Sequence, residues 1–240
     1  MKKAFTLSEI LITLTVVGVV ASLTIPPVMK DYKKKLYVSK LEKTYAQISD
    51  AIIAIMNDEH VDDFYATKAA STQNTECSSG GECTQGLGYF LNKYFEPIKK
   101  NCGKGTSRCV PKPDAEAYKS LNGNNVGTTA NGDYCAQTAH GATICGRYNP
   151  NNRCMSISVD VNGVDGPNIT GRDLFAMDIH GDGSITDYLS GCGHSADGKT
   201  SIESSGCAAT RCGNMEGNSP NLQACGCLSS VMDAGWKMNY

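Results

Sequence analysis

Lys3-Ala4-Phe5-Thr6-Leu7-Ser8-Glu9 leads directly into an uncharged run from Ile10 to Met29. One acid, Glu9, therefore stands at the mouth of a segment otherwise fit for lipid. A charged side chain at the centre of a membrane helix costs about 2.5–3.5 kcal/mol on insertion scales, so an acid retained there is a functional residue by default. Phe5 to Met29 is 25 residues. As a helix this measures about 37 Å, enough for a hydrocarbon core of about 30 Å. Pro26 and Pro27 predict a kink or local melting near its end, since each lacks an N–H and crowds the preceding turn. Gly18 adds a second soft point.

The helical pattern continues past the run. Leu41, Tyr45, Ile48, Ile52 and Ile55 recur at i, i+4, i+7, i+11 and i+14, one face of an amphipathic helix. The reading is one long helix from Phe5 to about Asn57, a transmembrane half over 5–29 and an amphipathic half over 30–57. The apolar stripe of the second half should lie on a sheet.

The motif from Lys3 to Glu9 resembles the processing site of type IV prepilins and type II secretion pseudopilins. It has a short basic leader (1–4), a small residue at the cut, Phe at the new N-terminus and Glu as the fifth residue. Ala4 stands where the family more often has Gly, which implies less efficient cleavage. The resemblance implies cleavage between Ala4 and Phe5 by a prepilin peptidase, N-methylation of Phe5, and an assembly role for Glu9. In such filaments the Glu of one subunit is thought to meet the N-terminal amine of its neighbour, because either charge left alone in lipid is unfavourable. Pro26 matches a helix-bending proline of the family. The implied partners are other pilin or pseudopilin subunits, an inner-membrane assembly platform and membrane lipid. The implied location is the bacterial inner membrane, single-pass, with the globular part extracytoplasmic.

An ordinary secretory signal is the alternative. Lys2 and Lys3 would be its basic region and Val19-Val20-Ala21 its cleavage site, leaving Ser22 first. Glu9 interrupts such an apolar region near its start, and the pattern flows unbroken into the next helix. The charge bias of the flanks points against the extracytoplasmic orientation. Lys30, Lys33, Lys34 and Lys35 follow the span, against Lys2 and Lys3 before it, and the positive-inside rule would hold the larger group in the cytoplasm. The cysteines argue the other way. All 12 lie from Cys77 onward, an even number confined to the part beyond the apolar run, as disulfides formed in an oxidising compartment require. Cys77 with Cys83 and Cys102 with Cys109 are candidate local pairs. Zinc is the rival reading, but no C-x-x-C occurs, and Cys225-Gly226-Cys227 is not the usual ligand spacing.

Composition excludes other classes. A net charge of −2 over 240 residues provides no basic field for nucleic acid, and no clustered basic–aromatic surface appears from Asp58 onward. The four histidines (His60, His140, His180 and His194) fall in no catalytic signature, so no enzyme is expected. Gly191-Cys192-Gly193-His194-Ser195 looks like a protease fragment only by chance in a chain rich in Gly and Cys.

Residues 58–240 read as a Cys-rich globular part. Acidic residues and Ser, Thr and Gly make 58–86 a loop. Leu87, Leu91, Tyr94, Phe95 and Ile98 fit a short amphipathic helix ending at or before Pro97. Ala115 to Leu121 reads as a short helix stopped by Gly123, and Asn122 to Gly132 as turn. Strand signals follow. Met155, Ile157, Val159 and Val161 alternate with polar residues, as do Phe175, Met177 and Ile179 with Ala176 and Asp178, and Ile185 marks a third run. Period two predicts antiparallel strands with one face covered. His180-Gly181-Asp182-Gly183 should be the hairpin connection. The stretch Ser156 to Ile185, with Asp-Val-Asn-Gly, Gly-Pro-Asn and Gly-Arg-Asp elements, also resembles a segment of bacterial pilin-like proteins. Gly191 to Tyr240 reads as a disulfide-bound tail with one short helix or strand. The fold class is α+β, pilin-like by resemblance.

Calcium is a candidate second function. Asp178, His180, Asp182, Gly183, Ile185 and Asp187 echo the start of an EF-hand loop, with Asp178, Asp182 and Asp187 as the ligand candidates. His180 replaces the usual acid and Leu189 stands where the bidentate Glu belongs. An ordinary Gly/Asp turn is the better-supported reading. The function expected overall is structural, a minor or specialised pilus or pseudopilus subunit. A tip or adhesin-type binding pilin and a secreted Cys-rich protein are the competitors.

Overall fold

The computed structural model describes residues 6–72, 77, 83–103, 108–111, 117–127, 134–150, 153–188, 212–213 and 220–240. It is α+β, and it divides into two compact units at Leu36/Tyr37. Helix α1, Leu7–Asp58, is one unbroken element that contributes to both.

In the first unit no described side chain is buried, with partial cover at Ala21 and Lys34, and Leu11, Leu14, Val17 and Leu23 are all more than half exposed. The few hydroxyls in the run do not seek water. Thr13 and Ser22 donate to the carbonyls of Ile10 and Val19, and Thr15 and Thr24 to those of Leu11 and Val20, at 2.8–3.0 Å. Every hydroxyl in the run is thus satisfied by its own helix, which is what a low-dielectric surrounding demands. The helix is long and apolar enough to cross a membrane, a property that a signal sequence near an N-terminus shares. Local melting at Pro26-Pro27 does not occur, because the chain is helical through both. The loss stays local, since the two missing donors would have served only the carbonyls of Ser22 and Leu23.

In the second unit α1 buries Tyr37, Val38, Leu41, Thr44, Ile48, Ala51, Ile52 and Ile55. Tyr45, also on the expected stripe, is only partly buried and meets Trp236 edge-on at 5.6 Å. The helix ends one residue beyond the expected Asn57. His60 takes a positive φ of 54° and Val61 N–H returns to the Met56 carbonyl, a left-handed stop without glycine.

The sheet has five antiparallel strands in chain order: β3 (Tyr134–Gln137), β4 (Thr143–Asn149), β5 (Cys154–Asp160), β6 (Leu174–Ile179) and β7 (Ile185–Asp187). Pairing of Ile144 with Val159, and of Val159 with Phe175, Ile157 with Met177 and Met155 with Ile179, fixes one apolar face. That face shares a single core with the α1 stripe, with Phe64 of the 3-10 turn Phe64–Ala66, and with α2 (Gly86–Tyr94).

The other face is covered as well, contrary to the expectation of one covered face. β6 is buried at all six positions. Cys135 lies directly opposite Cys145 and bonds to it, and this pair packs with the Cys102–Cys109 disulfide and Val110. Leu174 on the same face packs with Tyr118 and Val126. Ser158 there reads as solvent-facing in the sequence, but it is short and its hydroxyl donates to the Cys145 carbonyl at 3.4 Å.

Two further expectations fail. The helix proposed for Ala115–Leu121 is not formed in its described part. Tyr118–Lys119 is strand β1, paired antiparallel with β2 (Asn125–Gly127), and Gly123 at φ 84° serves the turn between them. Tyr118 is held extended because its hydroxyl is drawn to Asp160 at 2.5 Å. Strands β3 and β4 carried no sequence signal, because their core positions are Tyr134, Ala136, Ile144 and Gly146, too mixed in size to alternate. The short helix at 87–98 is present as α2, stopping before Pro97. Among its described residues the tail contains two short helices, α3 (Pro220–Gln223) and α4 (Cys227–Asp233).

Cys77–Cys83 and Cys102–Cys109 are bonded as expected, together with Cys135–Cys145 and Cys212–Cys227. Cys154 and Cys225 are also in disulfides, and no described cysteine is free.

Candidate functional site

Ala4 and Phe5 lie outside the described residues. Glu9 is described, and its carboxylate is engaged within its own helix. Its Oε2 accepts both the Thr6 N–H and the Thr6 hydroxyl, each at 2.8 Å, while Glu9 N–H donates back to Thr6 Oγ1 at 3.3 Å. This is a reciprocal capping box. Oε1 has no partner among the described residues, and Glu9 makes no ion pair there. The arrangement leaves one oxygen open while the other closes the helix end. Thr6 escaped the reading of the sequence as a site residue. The signal that would have found it is the Thr-x-x-Glu spacing directly ahead of an apolar run. Pro26 lies inside α1, with the backbone helical on both sides of it.

The three calcium candidates go to separate places. Asp178 is buried in β6, on the face opposite Met177 and Ile179. Asp182 sits in the β6–β7 hairpin, where its Oδ1 accepts the Ser184 N–H at 2.9 Å and the Ser184 hydroxyl at 2.6 Å. These bonds hold its carboxyl below the usual range. Asp187 ends β7 and reaches the start of α4. Its Oδ1 accepts Gly226 N–H at 3.0 Å, and its Oδ2 accepts the Ser229 N–H at 2.7 Å and the Ser229 hydroxyl at 3.0 Å. Burial pushes this carboxyl up while those donors pull it down, and burial is the larger effect. Between the acids, His180 Nε2 lies 2.7 Å from Thr186 Oγ1. Among the described residues no group of three His, Cys, Asp or Glu side chains is placed to hold a metal ion. The hairpin itself is as read: His180 N–H donates to Ser184 O, and Gly183 turns at φ 82°.

The loop from Asp160 to Asp173 carries the Asp-Val-Asn-Gly, Gly-Pro-Asn and Gly-Arg-Asp elements, and its polar side chains are ties. Asp160 accepts Tyr118 O–H with Oδ2 and Asn162 N–H with Oδ1. Asn162 Nδ2 donates to the carbonyls of Asp165 and Gly166. Asp173 accepts Asn168 N–H at 2.7 Å and Ile169 N–H at 2.6 Å. Strand β1 docks on the same loop through Lys119 N–H to Asn168 O and Thr170 N–H to Lys119 O. Burial pushes the Asp160 carboxyl well above the ordinary range, with repulsion from Asp173 adding to it. Burial likewise raises Asp173 to about 6, against its backbone donors and Arg172.

No family model, curated protein or solved structure matches this chain.

Proposed function

We propose that the chain is a structural subunit, minor or specialised, of a type IV pilus or type II secretion pseudopilus. A prepilin peptidase trims it between Ala4 and Phe5, Phe5 is methylated, and the subunit joins a helical filament through its apolar N-terminal helix. In this reading it stands single-pass in a bacterial inner membrane with residues 58–240 extracytoplasmic. It meets other pilin or pseudopilin subunits, the inner-membrane assembly platform and lipid. No metal and no catalytic step enters the reading.

The observation that carries it is Glu9. It is a lone acid at a fixed offset from the motif's scissile bond, heading an apolar run in which no described side chain is buried, and one of its carboxylate oxygens has no partner among the described residues. That oxygen suits the amine of a neighbouring subunit, since a carboxylate in lipid needs a positive partner. Two measurements test this. Mass spectrometry of the mature chain should find methyl-Phe5 as its first residue, whereas Ser22 would establish an ordinary signal peptide. Glu9→Ala should leave trimming largely intact and block assembly; trimmed subunits of this variant appearing in filaments at wild-type levels would refute the role.

A further inference from the structure

The apolar run of α1 ends abruptly. Met29 is followed by Lys30-Asp31-Tyr32-Lys33-Lys34-Lys35, in which Asp31 is the one acid and Tyr32 is 59% exposed. Lys30, Lys33 and Lys35 are exposed and form no hydrogen bond or ion pair among the described residues. Lys34 is half-buried and is not counted with them.

The geometry of the three lysines separates two kinds of partner. At about 100° per residue, Lys33 lies roughly 300° and Lys35 roughly 140° around the axis from Lys30. The charges therefore encircle the helix instead of forming one stripe. A protein partner presents a single surface and selects a stripe; a surrounding medium selects a ring. The axial depth agrees with a medium. Lys30 to Lys35 rises about 7.5 Å, comparable with one headgroup layer, roughly 5–8 Å beyond the hydrocarbon core. Tyr32 within the band is of the type that anchors at this interface.

We propose that Lys30, Lys33 and Lys35 form a cationic collar that gathers anionic phospholipid headgroups where the helix leaves the bilayer. The collar rests on the reading of the run before it as a membrane span. Each lysine keeps its aliphatic stem against the chains below and its ammonium among the phosphates. In this way the side chains set the depth at which the helix emerges, and the lipids beside the subunit differ from the bulk.

The test uses the full chain in phosphatidylcholine bilayers carrying a trace of spin-labelled phosphatidylglycerol or spin-labelled phosphatidylcholine. Electron paramagnetic resonance gives the immobilised fraction of each. The labelled phosphatidylglycerol should be favoured by roughly two- to fivefold at low salt, and less as salt screens the charges. In K30Q/K33Q/K35Q the preference should fall to about one with unchanged far-ultraviolet circular dichroism. Equal immobilisation of the two lipids by the wild type, or a preference that survives in the triple variant, would overturn the collar. Flotation of the same samples reports insertion separately. A chain that does not float with the bilayers defeats the span reading and the collar together, whereas one that floats without a headgroup preference defeats the collar alone.

Discussion

Two acids illustrate how a residue's role depends on what its carboxylate reaches. Glu9 looks in the sequence like a bare charge awaiting a cation, yet it closes its own helix through Thr6 and retains one open oxygen. Asp187 looks like a ligand of a cation loop, yet it caps the start of α4 with three donors on its two oxygens. Such a carboxylate offsets the unpaired N–H groups at a helix start and favours the helix dipole. Asp187→Ala should lower the unfolding free energy by about 1–3 kcal/mol, because buried donors at Gly226 and Ser229 lose their acceptor. Denaturant unfolding with the disulfides intact measures this. A midpoint unchanged from wild type would show that the carboxylate is dispensable, and a larger loss in calcium than in calcium-free buffer would revive the cation reading.

At the scale of elements, the legible ones were those whose signal is contained in their own residues. The period of α1, the alternation in β5 and β6 and the Gly-Asp-Gly turn between β6 and β7 need no partner to be recognised. Strands β3 and β4 lack that property. Their outer positions are Cys135 and Cys145, joined across the ladder, and their inner positions range from Tyr134 to Gly146. Gly146 has no side chain because the backbone of the next strand occupies the space: a Cβ there would come within 2.9 Å of the Ile157 Cα. Such a strand is defined by neighbours that cover it. β1 is the same case in miniature, two residues held extended by the pull of Asp160 on Tyr118 and by ladder bonds to β2 and to the 168–170 loop. A local reading assigns the region to helix from the Gly123 stop, against the strand preference of Tyr118.

Across the whole molecule, the buried acids make stability depend on pH in an unusual direction. Asp160 and Asp173 both have raised carboxyl pKa values, Asp173 at about 6, chiefly from burial. In the unfolded chain each titrates near the ordinary value of about 3.9. Folding then favours the protonated form. The contribution is fully present below the unfolded pKa and is lost as pH rises through the folded value, about 6 for Asp173. Asp187, also raised by burial, adds in the same direction. Arg172 opposes the effect at Asp173, and Tyr37 of α1 faces the same pair of acids. The melting temperature of the disulfide-intact chain should therefore decline as pH rises from about 4 through about 6. Asp160→Asn keeps an acceptor for Tyr118 and removes the charge facing Asp173, so it should flatten that decline. Stability that climbs steadily over the same range would contradict the assignment.

The order of residues alone determined the long N-terminal helix, its apolar half, the acid at its head and the hairpin, and it named the two short-range disulfides as candidates. These rest on run length, period and spacing within a few turns of chain. Only the tertiary structure decided that the sheet is covered on both faces, that Tyr118 is strand, and that Asp160 and Asp187 are structural ties. Each of those facts depends on a partner far along the chain, 42 residues away for both Tyr118 with Asp160 and Asp187 with Ser229. Burial and hydrogen bonding set the role of such a carboxylate, and neither quantity exists until the distant segments have packed.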